Sequence, residues 1–402
     1  MTKITIASLG VRGDGVAMGP DGPLHVPFAL PGEMVDISTG APVVHPSSAD
    51  RIAPFCPHFG RCGGCRMQHF APIPYADWKR GIVVTALERA GIRADVAPLV
   101  AAQGAGRRRV ILHAKVVRGL WQAGFMVAKS HDLIDLDACP VLVPALASAP
   151  EIARQVLAPL SRLGKPADVQ VTATDGGLDV DIRGPGREAL EHRLALSALA
   201  EKLNLARLSL HGDLIVERRA PALMMGRAQV VPPPGGFLQA TRRGEEVLAA
   251  LVAEGLGKAR KVVDLFSGAG PFALRLAEDR AVVAFDADKP AIEALGRAAR
   301  ATVGLRPIAV EARDLFRRPL LPHELDAYDA AVLDPPRAGA EAQVRQIQRS
   351  KLRSVVYVSC DPGSFSRDAA LLAGAGFKLQ QVTPVDQFAW SAHVELVGVF
   401  RR

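Results

Sequence analysis

Short apolar runs broken by glycine and proline fill the first 48 residues, and Ile4 to Leu9, Leu24 to Phe28 and Met34 to Ile37 read as strands of a small barrel. A β-like rhythm resumes from about residue 95 and continues to 235. There "RRRVILHAKVV" and "GFMVAK" lead into "DVQVTATDGGLDVDIRG", in which Asp175-Gly176-Gly177 sits between alternating runs and predicts a tight hairpin. Ala145 to Leu163 interrupts this pattern with the apolar spacing of a helix. After "PPPGG" (Pro232 to Gly236) the period changes again. Strand-like "KVVDLF", "AVVAFD", "DAAVLD" and "SVVYVS" alternate with alanine- and leucine-rich helical stretches, the pattern of a doubly wound, Rossmann-like α/β domain. The predicted fold class is therefore α/β in three parts: a small β-barrel over 1–50, a β-rich central domain over 51–235 and the α/β domain over 236–402.

Composition narrows the setting. A chain of 402 residues that is 49% hydrophobic and 22% charged buries sizeable cores, so disorder is excluded. No apolar stretch is long enough to span a membrane and Met1 to Leu9 lacks the build of a signal peptide, so a cytoplasmic protein with no membrane partner is expected. A reducing compartment disfavours disulfides, and five cysteines cannot all pair. Three of them, Cys56, Cys62 and Cys65, stand within "CPHFGRCGGC". The net charge of +8 is unevenly spread: residues 1–50 hold two Lys/Arg against five Asp/Glu, residues 51–110 ten against three. The basic surplus surrounds the cysteines, with Arg107, Arg108 and Arg109 as its densest run. Such a run is either a solvated face or a surface that collects a polyanion such as RNA.

The α/β region carries the candidate chemistry. In "VVDLFSGAGPFAL" a buried-type strand ends near Asp264, and the small residues 267–270 let backbone approach a ligand closely. Asp286, at the end of the next strand, suits ribose hydroxyls. A nicotinamide nucleotide would fit such a turn too. Two features point instead to S-adenosylmethionine: Asp264 precedes the glycines, where a carboxylate suits an α-amino group, and "LDPPR" ends another strand. An aromatic residue after Asp-Pro-Pro would stack on a base presenting an exocyclic amine, but here Arg337 follows, which argues against an amino nitrogen as methyl acceptor. Cys360 follows the next strand on the same sheet edge, where a thiolate adding to C6 of a pyrimidine makes C5 nucleophilic. Glu395, opening the terminal strand in "FAWSAHVELVGVF", supplies a base for the C5 proton.

Together, Phe237/Gln239, "DLFSGAG", "DPPRAG", "SCDP" and His393-Val394-Glu395 resemble the RNA uracil-5 methyltransferase family, whose pattern is F-x-Q-x-N, D-L-F-C-G-x-G, D-P-P-R-x-G, S-C-N-P and H-V-E. The resemblance spans essentially the whole chain. It implies Cys360 as nucleophile and Glu395 as base. Gln239 and Asp334 would flank the methyl donor and the uracil, and Asp264, Phe266, Gly268, Gly270, Asp286 and Asp314 would complete the donor site. Thr241, Ser267 and Asp361 depart from the pattern. Thr241 would weaken substrate positioning, and Asp361, if ionised and unpaired, would oppose formation of the Cys360 thiolate.

Several members of that family carry C-x5-C-G-G-C with a fourth cysteine far downstream, which implies Cys139 as partner to Cys56, Cys62 and Cys65. Four thiolates suit a [4Fe-4S] cluster or zinc, and spacing alone does not choose; the resemblance implies the cluster, as a clamp between residues 56–65 and the central domain. The first 50 residues resemble a TRAM domain, and TRAM plus cluster favours the ribosomal branch. The expected partner is thus 23S ribosomal RNA bound by a monomer, its target uridine flipped out of the stack. Transfer RNA is the alternative substrate. A non-catalytic iron–sulfur RNA-binding protein and an electron-transfer protein are the competing classes, and neither explains why Cys360, Asp334 and Glu395 coincide.

Overall fold

The computed structural model describes residues 3–402 apart from 20, 39–41, 129, 164, 185 and 187–188. The functional end of the chain is built on an eight-stranded sheet, ordered Ile308–Ala312, Ala281–Asp286, Lys261–Leu265, Ala330–Leu333, Ser354–Ser359, Glu395–Arg401, Lys378–Asp386 and Val100–Ala101. The first five strands run parallel, and Glu395–Arg401 is antiparallel to both of its neighbours. These strands are nearly continuous apolar runs because both faces are covered. Alternate side chains divide between two cores: Val262, Val332 and Val356 enter one, while Val263, Leu333, Val355 and Tyr357 enter the other. Strand order reverses between Lys261–Leu265 and Ala330–Leu333, which puts a ligand crevice at their C-terminal ends.

The central sheet has seven strands, from Leu133–Asp135 to Asp213–Glu217, and the predicted hairpin joins Ala167–Thr174 to Gly177–Arg183. The helices Ala149–Leu157 and Leu190–Lys202 add Ile152, Val156 and Leu196 to its core. At the N-terminus, two three-stranded antiparallel sheets enclose Ile6, Ala17, Val26, Ala29 and Val35.

Residues 72–101 lie elsewhere than their position in the chain suggests. The helix Pro72–Arg89 buries Tyr75, Lys79, Val83 and Leu87, spaced four apart on one face. Val83 and Leu87 join the second core of the eight-stranded sheet, and Val100–Ala101 forms that sheet's edge. The stretch expected to belong to the central domain is therefore joined physically to the α/β domain: its helix packs on the eight-stranded sheet.

Candidate active site

Parallel strands place their C-terminal ends on one edge, and an antiparallel strand begins there. The edge thus gathers Asp264, Asp286, Asp334, Cys360 and Glu395. In the antiparallel register Ser359 faces Leu396, so one residue further Cys360 stands opposite Glu395.

The glycine turn is shaped for a close ligand. Phe266 (φ 65°), Gly268 (φ 53°) and Gly270 (φ 90°) all adopt left-handed backbone. A Cβ on Gly268 would meet nothing within 4 Å, whereas one on Gly270 would strike Leu295 at 2.4 Å. Gly268 therefore borders open space, and Gly270 permits the helix behind the turn to pack. Asp264 is fully buried, its carboxyl oxygens lacking any well-formed hydrogen bond and facing only a weak approach of the Ala273 N–H, and the Ser267 hydroxyl in the turn is also unpartnered. Burial, with Asp334 adding, holds the Asp264 carboxyl well above the usual range. Orphaned buried oxygens of this kind fit a ligand's ammonium and hydroxyl groups. Asp286 grips the turn itself, accepting the Gly268 N–H at 2.7 Å and the Asp288 N–H at 2.8 Å. Asp314 accepts the N–H groups of Phe316 and Arg317 in its own loop, while Phe316 packs its ring 5.4 Å from that of Phe266.

Asp334, Glu395 and the Cys360 thiol are electrostatically coupled at this edge. Burial raises Asp334 to about 7, helped by Asp286. Burial and Asp334 raise Glu395 to about 8 against the opposing effects of Gln387 and Arg337. Burial, Glu395 and Asp334 raise the Cys360 thiol to about 11, and Arg337 again opposes them. Asp361 is not among these neighbours. Its carboxylate accepts the Ser364 N–H at 2.7 Å and caps the helix Pro362–Gly374. The expected repulsion of the thiolate therefore comes from Glu395 and Asp334. Thr241 is likewise a helix cap, accepting the Gly244 N–H at 2.8 Å and donating to the Ala102 carbonyl at 2.6 Å, so it holds a helix start in place.

A residue that the sequence reading missed links the site. Gln387 donates through Nε2 to Gln239 at 2.6 Å and to Glu395 at 3.1 Å, and Gln239 donates on to Asp334 at 3.2 Å. No spacing signal marks an isolated glutamine in a loop. Within the basic run, Arg108 fits neither expectation. Arg108 is 6% exposed, pairs with Glu245 and donates to the Gln239 carbonyl at 3.1 Å. Arg109 lies over the Phe237 ring at 5.3 Å. Both support the segment that carries Gln239, and Arg108 is no surface cation.

Cys56, Cys62, Cys65 and Cys139 line one cavity of about 260 Å³ together with Phe59, Arg107 and Phe125. Burial raises the Cys62, Cys65 and Cys139 thiols, Cys139 to about 11, and each is further raised by charge on neighbouring cysteines. Among the described residues no three His, Cys, Asp or Glu side chains are arranged to hold a single metal ion. The cysteine loop also bridges two units: the Gly63 N–H meets the Met126 carbonyl of the central sheet, and the N–H groups of Arg66 and Met67 both meet the Trp390 carbonyl.

A doubly wound sheet with a buried acid before a glycine turn at its switch point fits a methyltransferase using S-adenosylmethionine, the class that the comparisons give. The family model described as tRNA (Uracil-5-)-methyltransferase matches residues 245–402. An uncharacterised RNA methyltransferase of Brucella suis is 46% identical over all of this chain and 98% of its own length. The 23S rRNA (uracil(1939)-C(5))-methyltransferase RlmD of Halomonas elongata is 34% identical, covering 98% of this chain and 88% of itself. The solved Pyrococcus abyssi tRNA (uracil-54, C5)-methyltransferase, in complex with S-adenosyl-L-homocysteine, is 22% identical with a TM-score of 0.77 over 99% of both chains. The chain belongs to the RNA uracil-5 methyltransferase family and is an S-adenosylmethionine-dependent enzyme of that family. Among the described residues no helix is long and apolar enough to cross a membrane.

Proposed function

We propose that this chain, acting as a monomer, makes 5-methyluridine in 23S ribosomal RNA by covalent catalysis. The opposition of Cys360 and Glu395 across an antiparallel register carries the reading. Bound S-adenosylmethionine supplies an electrophilic methyl group. Cys360 attacks C6 of the uracil as a thiolate, forming a C–S bond and placing the electron pair at C5, from which a bond forms to the methyl carbon as its bond to sulfur breaks. Glu395 then takes the C5 proton, and the released electron pair forms the C5–C6 double bond and expels the Cys360 thiolate. Asp264 with the turn from Phe266 to Gly270 holds the donor's amino acid portion, and Asp286 and Asp314 flank its nucleoside. A stacked uracil hides C6, so the target base is flipped out.

The resemblance to RlmD, a ribosomal enzyme, and the N-terminal β-structure, which is of the size of a TRAM domain, support the ribosomal target. Mapping 5-methyluridine in RNA from cells with and without the gene tests it. Loss of a 23S position is expected, and loss confined to transfer RNA would move the assignment to the other branch.

The resemblance assigns Cys56, Cys62, Cys65 and Cys139 to a [4Fe-4S] cluster rather than zinc, and the four thiols line one cavity, as that assignment requires. Such a cluster would brace the cysteine loop and supply no group to the methyl transfer. Anaerobically purified protein should be brown and contain iron and sulfide at about four each per chain. Stoichiometric zinc without iron would overturn this assignment and leave the methyl-transfer reading intact.

A further inference from the structure

The polar chain through Gln387 has a direction, and one obligatory donor fixes it. The backbone N–H of Ala240 can only donate, and it meets an atom of the Gln387 amide at 2.9 Å, so that atom is the carbonyl oxygen. The other end of Gln387 is therefore its amide nitrogen. Its two hydrogens are both spent, on Gln239 Oε1 at 2.6 Å and Glu395 Oε1 at 3.1 Å. The face of Gln239 that meets Gln387 must accept, so the Gln239 amide nitrogen points the other way and donates to Asp334 Oδ2 at 3.2 Å. One hydrogen of that nitrogen remains free.

Neither glutamine has room to turn over. Gln387 is 1% and Gln239 3% exposed. Gly244 lets the next helix press directly on Gln387, since a Cβ there would stand 2.7 Å from the Gln387 Cβ. A flip of Gln387 would point its N–H2 at the Ala240 N–H and leave buried donors unpaired.

We propose that Gln387 is a specificity-determining residue: it holds Gln239 with the amide N–H2, not the carbonyl, toward Asp334, the acid beside Cys360 and Glu395, so the pocket accepts a pyrimidine with a carbonyl at C4 and refuses one with an amino group. This rests on the uracil-5 reading above. C4 adjoins C5, the carbon that faces Glu395, so its substituent lies within the cluster formed by Glu395, Asp334 and Gln239. A uracil O4 accepts from Gln239. The cytosine N4 amine would set donor against donor, and a site built around a hydrogen bond rejects the mismatched analogue by about 10⁴-fold or more.

The test gives the protein unmodified 23S ribosomal RNA transcripts and measures 5-methyluridine and 5-methylcytidine by nucleoside mass spectrometry. Gln387→Glu accepts only once ionised, so above the pH at which it loses its proton Gln239 should reverse and present its carbonyl. The ratio of uridine to cytidine product should fall by about a hundredfold or more, while Gln387→Leu, which leaves Gln239 free to turn, should lower it by about tenfold. The wild-type enzyme provides a reading independent of variant folding: transcripts made with 4-thiouridine, a poor acceptor at that position, should lose about tenfold in kcat/KM relative to transcripts made with 2-thiouridine. A product ratio unchanged in both variants, or equal turnover of the two thiouridine transcripts, would overturn the proposal. Absence of 5-methyluridine from wild-type reactions on both ribosomal and transfer RNA would instead sink the uracil-5 reading itself, and this inference with it.

Discussion

Replacing Cys360 with alanine should abolish methyl transfer, by about 10⁴-fold or more in kcat, while S-adenosylmethionine still binds, because the glycine turn and Asp264 lie on a different strand. Glu395→Gln should stall one step later: C5 receives its methyl group but keeps its proton, so a covalent protein–RNA adduct accumulates and survives denaturing electrophoresis. Full turnover by the alanine variant would refute the covalent route. The electrostatics add a pH signature. Glu395 must be ionised to take a proton and burial raises it to about 8, and the Cys360 thiol stands higher still at about 11. Each active form is the deprotonated one, so kcat/KM should climb as pH passes upward through about 8. Asp334 raises both groups, so Asp334→Asn should move this rising limb to lower pH even though it slows the enzyme. A limb that shifts upward or stays fixed would contradict that coupling.

The sequence made the α/β part readable because its chemistry sits at strand ends. "AVVAFD" and "SVVYVS" coincide with the strands Ala281–Asp286 and Ser354–Ser359, and the residues that follow such runs land on one sheet edge by topology alone. The partners that tune the site were hidden. Gln387 and Arg108 act through side-chain hydrogen bonds across more than a hundred residues of chain, to Gln239 at 2.6 Å and to its carbonyl at 3.1 Å, and no periodicity encodes such pairs. Nothing in the one-letter pattern separates the caps Thr241 and Asp361 from substituted functional positions until the N–H groups of Gly244 and Ser364 are seen bonded to them. The helix Pro72–Arg89 escaped for a related reason: half of its buried stripe is Tyr75 and Lys79, which spoil the apolar period.

Lys79→Met should be the most damaging substitution outside the reacting groups. Lys79 is fully buried, and burial pulls its amine down to about 8 against the opposing pull of Asp386. Its Nζ donates to Asp386 Oδ1 at 2.5 Å, the His393 carbonyl at 2.6 Å and the Phe388 carbonyl at 3.2 Å, spanning the connection between the last two strands that carries Gln387 and leads into Glu395. Tyr75 donates to the other oxygen of Asp386 at 2.8 Å and accepts the Trp390 N–H at 2.9 Å, while Arg66 and Met67, just past Cys65, hold the Trp390 carbonyl. Removing the amine leaves the Asp386 carboxylate buried without its counter-charge, held only by the Tyr75 hydroxyl, which costs about 3–5 kcal/mol, and Asp386→Asn in the same chain should recover part of that loss. Turnover should not recover with it, because the His393 carbonyl, two residues before Glu395, remains without the Lys79 donor. The cysteine loop holds the same connection through Arg66 and Met67, so Cys65→Ser should lower kcat as well as RNA affinity, a wider effect than a clamp on the central sheet alone would have. A Lys79→Met enzyme that is destabilised yet keeps wild-type kcat at low temperature would show that the connection holds its shape without the lysine.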